Sequence, residues 1–268
     1  MKEEYISSII FPILVPLFVI AVASLFSSIF GLLHLLNTPS YKVLSYLSIL
    51  LISAGPISSM ISIITKTGKK QLLPLLAFSL FISMLMIISM APPYIWDDVA
   101  YNLALPKQYL EFGYFRYISE YNFYSVFPLF SDALNTLLLN AAGYIPTHIL
   151  GSWAYLALGL ITYRFCILLE IKKPLSVLSS ILVLSAPCIF FTAPIAKPDG
   201  LIALYLITSF YLLSLQMKST RYHSWFLRLL PIFFVSFSMG LKYSAAYLLP
   251  GFFIFFGVFI CKQSSKKI

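Results

Sequence analysis

Two of the nine acidic residues in this 268-residue chain stand side by side, at Asp97-Asp98, directly after Ala91-Pro92-Pro93-Tyr94 and a long apolar run. Carboxylates at the edge of a membrane-length segment are costly and tend to be functional. Such a pair can act as a general base with an auxiliary carboxylate, taking the proton from an attacking hydroxyl. It can equally be a solvated helix start, since Asp favours that position for dipole and hydrogen-bond reasons.

Further polar groups follow at short intervals. Asp98, Tyr101 and Asn102 are spaced to share one face of a helix beginning near Asp98, which Pro106 then interrupts. Lys107 and Arg116 come next. They either snorkel to an interface or hold a phosphate as fixed cations in a low-dielectric cleft. Lys197-Pro198-Asp199-Gly200 opens another apolar run, so Asp199 is either a helix cap or a second carboxylate. In that second role it would orient an acceptor or, with Asp98, share a divalent cation such as Mg or Mn, because hard cations take oxygen ligands. Lys242, in Gly240-Leu241-Lys242-Tyr243, lies between two apolar halves, where a lysine must snorkel or pair. A phosphate would suit it.

The remaining chemistry-bearing residues are sparse. His34, His148 and His223 are isolated, without metal spacing, and read as structural. Cys166, Cys188 and Cys261 form no CxxC and read as small buried hydrophobes. No Walker loop, GxGxxG, HExxH or GxSxG occurs, which disfavours nucleotide-driven and hydrolase chemistry.

The elements that must position these groups are membrane helices. The chain is 60% hydrophobic and 10% charged, with a mean hydropathy of +0.92. Its apolar runs are continuous and do not alternate, which argues against a barrel. The net charge of +9 fits cytoplasmic loops under the positive-inside rule and not nucleic acid, because no basic amphipathic stretch with interleaved aromatics exists. The expected fold is all-α, a polytopic transmembrane bundle of about eight spans, near 8–36, 41–65, 71–91, 148–170, 174–192, 199–217, 224–241 and 244–261. Three regions follow: N-terminal helices (1–91), a first large external loop (92–146) and further transmembrane helices (147–268).

Basic loops at Lys66, Lys69 and Lys70, at Lys172 and Lys173, at Lys218 and Arg221, and at Lys262, Lys266 and Lys267 go inside together with the N-terminus. Met1-Lys2-Glu3-Glu4 then leads a retained signal-anchor helix. The acids Asp97, Asp98, Glu111, Glu120, Asp132 and Asp199 fall outside. The stretch 127–143, carrying Asp132, Asn135 and Asn140, is expected as an external helix lying on the membrane.

Taken in order, these pieces resemble one family. Asp97-Asp98-Val99-Ala100-Tyr101-Asn102-Leu103-Ala104-Leu105-Pro106-Lys107-Gln108-Tyr109-Leu110-Glu111-Phe112-Gly113 resembles the first external loop of type-C glycosyltransferases. The nearest kind is the bacterial proteins similar to dolichyl-phosphate-mannose protein mannosyltransferases (family 39-like). Their loop typically reads Asp-Glu, Tyr-His-Leu, Pro-Lys. Asn122 through Phe127-Pro128-Leu129 and then Asp132 is similar to the family's Asn…Ser-Phe-Pro-Leu…Glu stretch. Asp199 resembles its second external aspartate. Gly240-Leu241-Lys242-Tyr243 with Leu248-Leu249-Pro250 resembles its Gly-Thr-Lys-Tyr…Leu-Pro segment. The likeness runs from about residue 92 to 255.

The resemblance implies a polyprenyl-phosphate sugar donor, a lipid, glycan or protein acceptor, and one inverting in-line displacement. Asp97 would be the catalytic base and Asp98 its auxiliary. Tyr101, Asn102, Arg116 and Asp199 would contact substrate, and Lys107 and Lys242 would neutralise the leaving phosphate. The site would face the outer side of a bacterial inner membrane. This chain departs from the pattern with Asp98 for Glu and Asn102 for His. It also stops at Ile268, where family members continue, so it reads as C-terminally truncated: a fragment, a truncated gene product, or half of an enzyme completed by a C-terminal half or partner subunit. Two alternatives remain: a non-catalytic lipid-phosphate-binding or assembly subunit, and a transporter of polyprenyl-linked sugars. A transporter would favour charges near the bilayer midplane in broken helices.

Overall fold

A computed structural model describes residues 3–66, 72–119, 125, 130–218 and 225–264. Among them the fold is all-helical: α1 Glu3–Leu32, α2 Pro39–Lys66, α3 Leu72–Ser89, α4 Ala104–Phe112, α5 Phe130–Ala142, α6 Ile145–Leu168, α7 Lys173–Ser185, α8 Pro187–Phe190, α9 Asp199–Lys218, α10 Trp225–Leu241 and α11 Leu249–Ser264. Glu120, Asn122, Phe127-Pro128-Leu129, Lys69, Lys70, Arg221, His223, Lys266 and Lys267 lie outside the described residues.

Three described helical segments are long and apolar enough to cross a membrane: Ile13–Leu32, Ile145–Leu168 and Asp199–Lys218. At about 1.5 Å per residue, some 20 residues match a ~30 Å hydrocarbon core. This corrects the expected eight spans. The run 174–192 breaks where Ala186 adopts extended backbone ahead of Pro187, leaving a 13-residue helix and a four-residue one. A proline disfavours the helical conformation of the residue before it and offers no N–H to the turn. The run 224–241 yields a 17-residue helix with Pro231 inside it. The run 244–261 starts as a 3₁₀ turn, Tyr243–Leu248, before α11 begins.

The chain divides into two compact units. The first comprises residues 1–153 with Pro194–Lys197; the second comprises Ala154–Ala193 with 198–268. In the first, α5 packs against α1, α2 and α4. Eight consecutive residues of α5, Ser131 to Leu138, are buried. The expected membrane-surface helix at 127–143 is therefore an interior one. Its 13 residues extend only about 20 Å, too short to span. Polar side chains tie this layer together. The Ser27 hydroxyl donates to the Ala133 carbonyl at 2.7 Å and meets the Tyr41 hydroxyl at 2.8 Å, while Asn140 Nδ2 donates to Ser45 Oγ at 3.0 Å. Hydroxyl and amide bonds of this kind hold apolar helices together where the surroundings are as apolar as the helix faces.

The segment that carries α4 is stitched to the end of α1. Leu36 N–H donates to Gly113 C=O and Phe115 N–H to Gly31 C=O, at 3.0 and 3.2 Å. Gly113 caps α4 at φ +84°, a conformation that glycine adopts without a Cβ clash. A Cβ on Gly31 would overlap the Phe115 ring. Gly31→Val is therefore expected to cost about 1–3 kcal/mol through overpacking. Thermal unfolding of the detergent-solubilised protein checks this, and an unchanged midpoint would refute the close approach.

In the second unit α9 packs on α10 and α11, around a cluster in which Tyr205 meets Phe234 and Phe237 edge-on or tilted at 5.3 and 5.0 Å. Lys218 Nζ donates to Glu170 Oε1 at 2.6 Å, and that hydrogen bond and charge hold the Glu170 carboxyl below its ordinary range.

Candidate functional site

The chemistry-bearing residues of the first unit gather around a short π-helical turn, Asp98–Asn102. Leu103 N–H closes it by donating to Asp98 C=O at 3.0 Å. Asp98 and Asn102 are both buried within it. The expected ordinary helix from Asp98 is thus replaced by the wider turn, a device frequent at functional sites. Pro106 does not interrupt a helix. It occupies the first turn of α4, where no intrahelical N–H partner is required.

Asp98 is fully buried, and a buried carboxylate is tolerated only with partners. Its Oδ1 accepts the Ala196 N–H at 3.0 Å. Its Oδ2 lies 3.1 Å from His148 Nε2, within ion-pair distance but not aligned as a hydrogen bond. His148 sits in the first turn of α6 and is 1% exposed. Its Nδ1 lies 3.1 Å from the Ser89 carbonyl at the end of α3, one of the carbonyls a helix terminus leaves without an intrahelical donor. His148 is therefore not isolated, as its spacing suggests, but faces the acid pair across 50 residues of sequence. The only signal for it in the sequence is a lone histidine in the first turn of an otherwise apolar helix.

Asp97 behaves differently from its neighbour. It is 24% exposed and meets Lys197 Nζ at 2.8 Å. The adjacent acids thus bind adjacent residues of one segment, Asp98 the Ala196 amide and Asp97 the Lys197 ammonium. Asn135, from α5, adds a third tie: its Nδ2 donates to the carbonyls of Asn102 and Ala196 at 3.1 and 3.2 Å.

A cleft of about 560 Å³ opens beside this turn, lined among others by Pro93, Asp98, Lys107, Gln108, Glu111 and Tyr144. That volume lies within the usual range for small-molecule sites. The Lys107 ammonium makes no ion pair among the described residues. Glu111 follows one helical turn later on α4. Tyr101 is half-buried, its ring edge-on to Trp96 at 6.0 Å. Arg116 stacks its guanidinium 3.4 Å over the Phe112 ring and does not line this cleft. Asp199 and Lys242 belong to the second unit, where Lys242 Nζ donates to Asp199 Oδ1 at 2.9 Å. The lysine that was expected to await a phosphate already has a carboxylate.

Among the described residues no three of His, Cys, Asp and Glu converge as metal ligands. Asp98 is turned to Ala196 and His148 in the first unit, and Asp199 to Lys242 in the second. Cys188 is exposed and Cys166 half-buried, so the reading of the cysteines as buried hydrophobes is corrected for both. The Cys261 side chain lies outside the described set.

Next to the site, Tyr109 is fully buried and its hydroxyl has no hydrogen-bond partner among the described residues. Burial, and then the charge of Asp132, push this phenol well above its ordinary range. An unpartnered buried hydroxyl costs about 1–3 kcal/mol. Tyr109→Phe is therefore expected to leave the thermal midpoint unchanged or to raise it, whereas a fall in a melting experiment would show that the hydroxyl has a partner.

No family model matches the chain, and no curated protein or solved structure matches it either.

Proposed function

We propose that this chain is the core of a membrane glycosyltransferase that moves a sugar from a polyprenyl phosphate to an acceptor hydroxyl. The observation that carries the reading is the cleft that Asp98 lines, with Asp97 its chain neighbour and with Lys107 on its wall, whose ammonium makes no ion pair among the described residues. In the step proposed, the acceptor oxygen attacks the anomeric carbon as Asp97 takes its proton. The bond from that carbon to the phosphate oxygen breaks on the opposite side, which inverts the configuration. Polyprenyl phosphate leaves, its charge met by Lys107. Lys197 holds the Asp97 carboxylate in place before the step, its ammonium 2.8 Å away. The reading puts the site at the outer face of a bacterial inner membrane and the N-terminus in the cytoplasm, following the lysine distribution.

A second reading has its own support. Both acids are already engaged, Asp97 by Lys197 and Asp98 by Ala196 and His148, as they would be in a binding subunit that performs no proton transfer. One experiment bears on both readings. Polyprenyl phosphate and the uncharged polyprenol are titrated against the protein in nanodiscs. Saturable binding of the phosphate alone supports a phosphate-recognising cleft. Equal binding of both, or of neither, counts against it.

A further inference from the structure

The contacts of Asp98 point to a role that the proposed reaction does not give it. The Ser89 carbonyl can only accept, so the His148 Nδ1 that meets it carries the proton. In a neutral imidazole the other nitrogen, Nε2, is then a bare acceptor. It stands 3.1 Å from Asp98 Oδ2, and a carboxylate also only accepts. Both groups are buried to 1% exposure or less. Two acceptors facing each other without solvent repel. A single proton between them removes the repulsion, whether it is written on the imidazole or on the carboxyl. A second proton would leave an uncompensated buried cation, and removing the first would leave two opposed lone pairs.

We propose that Asp98 and His148 form a one-proton clamp that holds the 194–197 segment in register and so keeps Lys197 on Asp97. Asp98 is then a positioning residue and not a second catalytic carboxylate. The geometry is continuous: Ser89 C=O fixes His148, His148 fixes Asp98, and Asp98 Oδ1 fixes the Ala196 amide. The next residue in the chain carries the ammonium that meets Asp97. Asn135 supports the same register from α5 by binding the carbonyls on both sides, those of Asn102 and Ala196. The importance of Lys197 to sugar transfer rests on the proposed function, but the clamp itself does not.

The clamp makes an unusual demand of substitutions. Asparagine can serve both contacts of Asp98, since its Oδ1 can accept the Ala196 N–H and its Nδ2 brings a donor within reach of the bare Nε2. Alanine can do neither. A catalytic carboxylate would show the reverse economy, with Asn as harmful as Ala.

The test is the rate at which Lys197 is acylated by a water-soluble amine reagent in the folded, detergent-solubilised chain, read by mass spectrometry, with Lys197→Ala as the blank. Wild type and Asp98→Asn are expected to label at the same slow rate. Asp98→Ala and His148→Ala are expected to label about tenfold faster or more, as loss of a charge-assisted buried contact implies. Acceleration in Asp98→Asn, or no acceleration in either alanine variant, overturns the clamp. If the alanine variants do not fold, Asp98→Asn that folds and labels like wild type supports the clamp, because the amide then restores what alanine loses, and Asp98→Asn that also fails to fold overturns it. Where transfer is measurable, Asp98→Asn is expected to keep kcat within about threefold of wild type, a rescue that a proton-accepting Asp98 would not allow. If wild type transfers no sugar, the proposed function fails while the labelling result stands or falls independently.

Discussion

Asp97→Asn is expected to slow sugar transfer at least about 100-fold while leaving the fold and donor binding intact. The substitution keeps the size of the side chain and an oxygen that accepts from Lys197, but it removes the group that would take the acceptor's proton. General-base catalysis contributes typically about 10²–10⁴-fold, so kcat should fall by that factor with little change in KM. Asp97 is suited to the role in a way Asp98 is not. It is 24% exposed and its partner is an ammonium that is also partly exposed. Asp98 is fully enclosed and committed to a backbone amide. Transfer rates for folded wild type and Asp97→Asn, measured at saturating donor, give the comparison. Equal rates would remove Asp97 from the chemistry.

The second large effect falls on binding. Lys107→Gln should weaken the lipid-phosphate donor about 10–100-fold, the cost of losing one charge-assisted contact at about 1.5–3 kcal/mol. Lys107 projects from α4 into the cleft, and its ammonium has no ion pair among the described residues. Removing it therefore breaks no pair of the fold, and stability should not change. Donor titration into nanodiscs, with the uncharged polyprenol as reference, should show that the variant has lost the preference for phosphate. A variant that retains the wild-type preference would show that the phosphate sits elsewhere.

The way the fold departs from a reading of the chain has physical causes that can be assigned residue by residue. Helix content was legible because the apolar runs are long and do not alternate, a pattern that fits helices and not half-buried strands. The number of crossings was not, because a run of apolar residues does not disclose where a proline divides it. Ala186-Pro187 splits one run, and the backbone at Tyr243–Leu248 tightens the start of another. The stretch 130–142 looked like a surface helix because it carries Asp132, Asn135 and Asn140. In the fold those polar groups are turned inward, and the amide of Asn135 bonds to two carbonyls.

The same contrast holds at the site. Asp97, Asp98 and Lys107 stood out because acids are rare in this chain and because a lysine after Pro106 breaks an apolar pattern. Their partners did not. His148 lies 50 residues from Asp98, and Ala196 acts through its backbone, which no side-chain identity reveals. Lys197 and Lys242 were each visible as charges placed against the grain of their segments. Only the fold shows that each already has a carboxylate, Asp97 for one and Asp199 for the other.

The most direct test of the central claim is a transfer assay in nanodiscs with a radiolabelled polyprenyl-phosphate sugar and a mixed pool of hydroxyl acceptors. The proposal predicts that label moves to an acceptor, that polyprenyl phosphate is released in equal amount, and that the product carries the inverted anomeric configuration. Donor that binds saturably but is never consumed by the folded chain would contradict the enzymatic claim and leave a lipid-phosphate-binding subunit in its place.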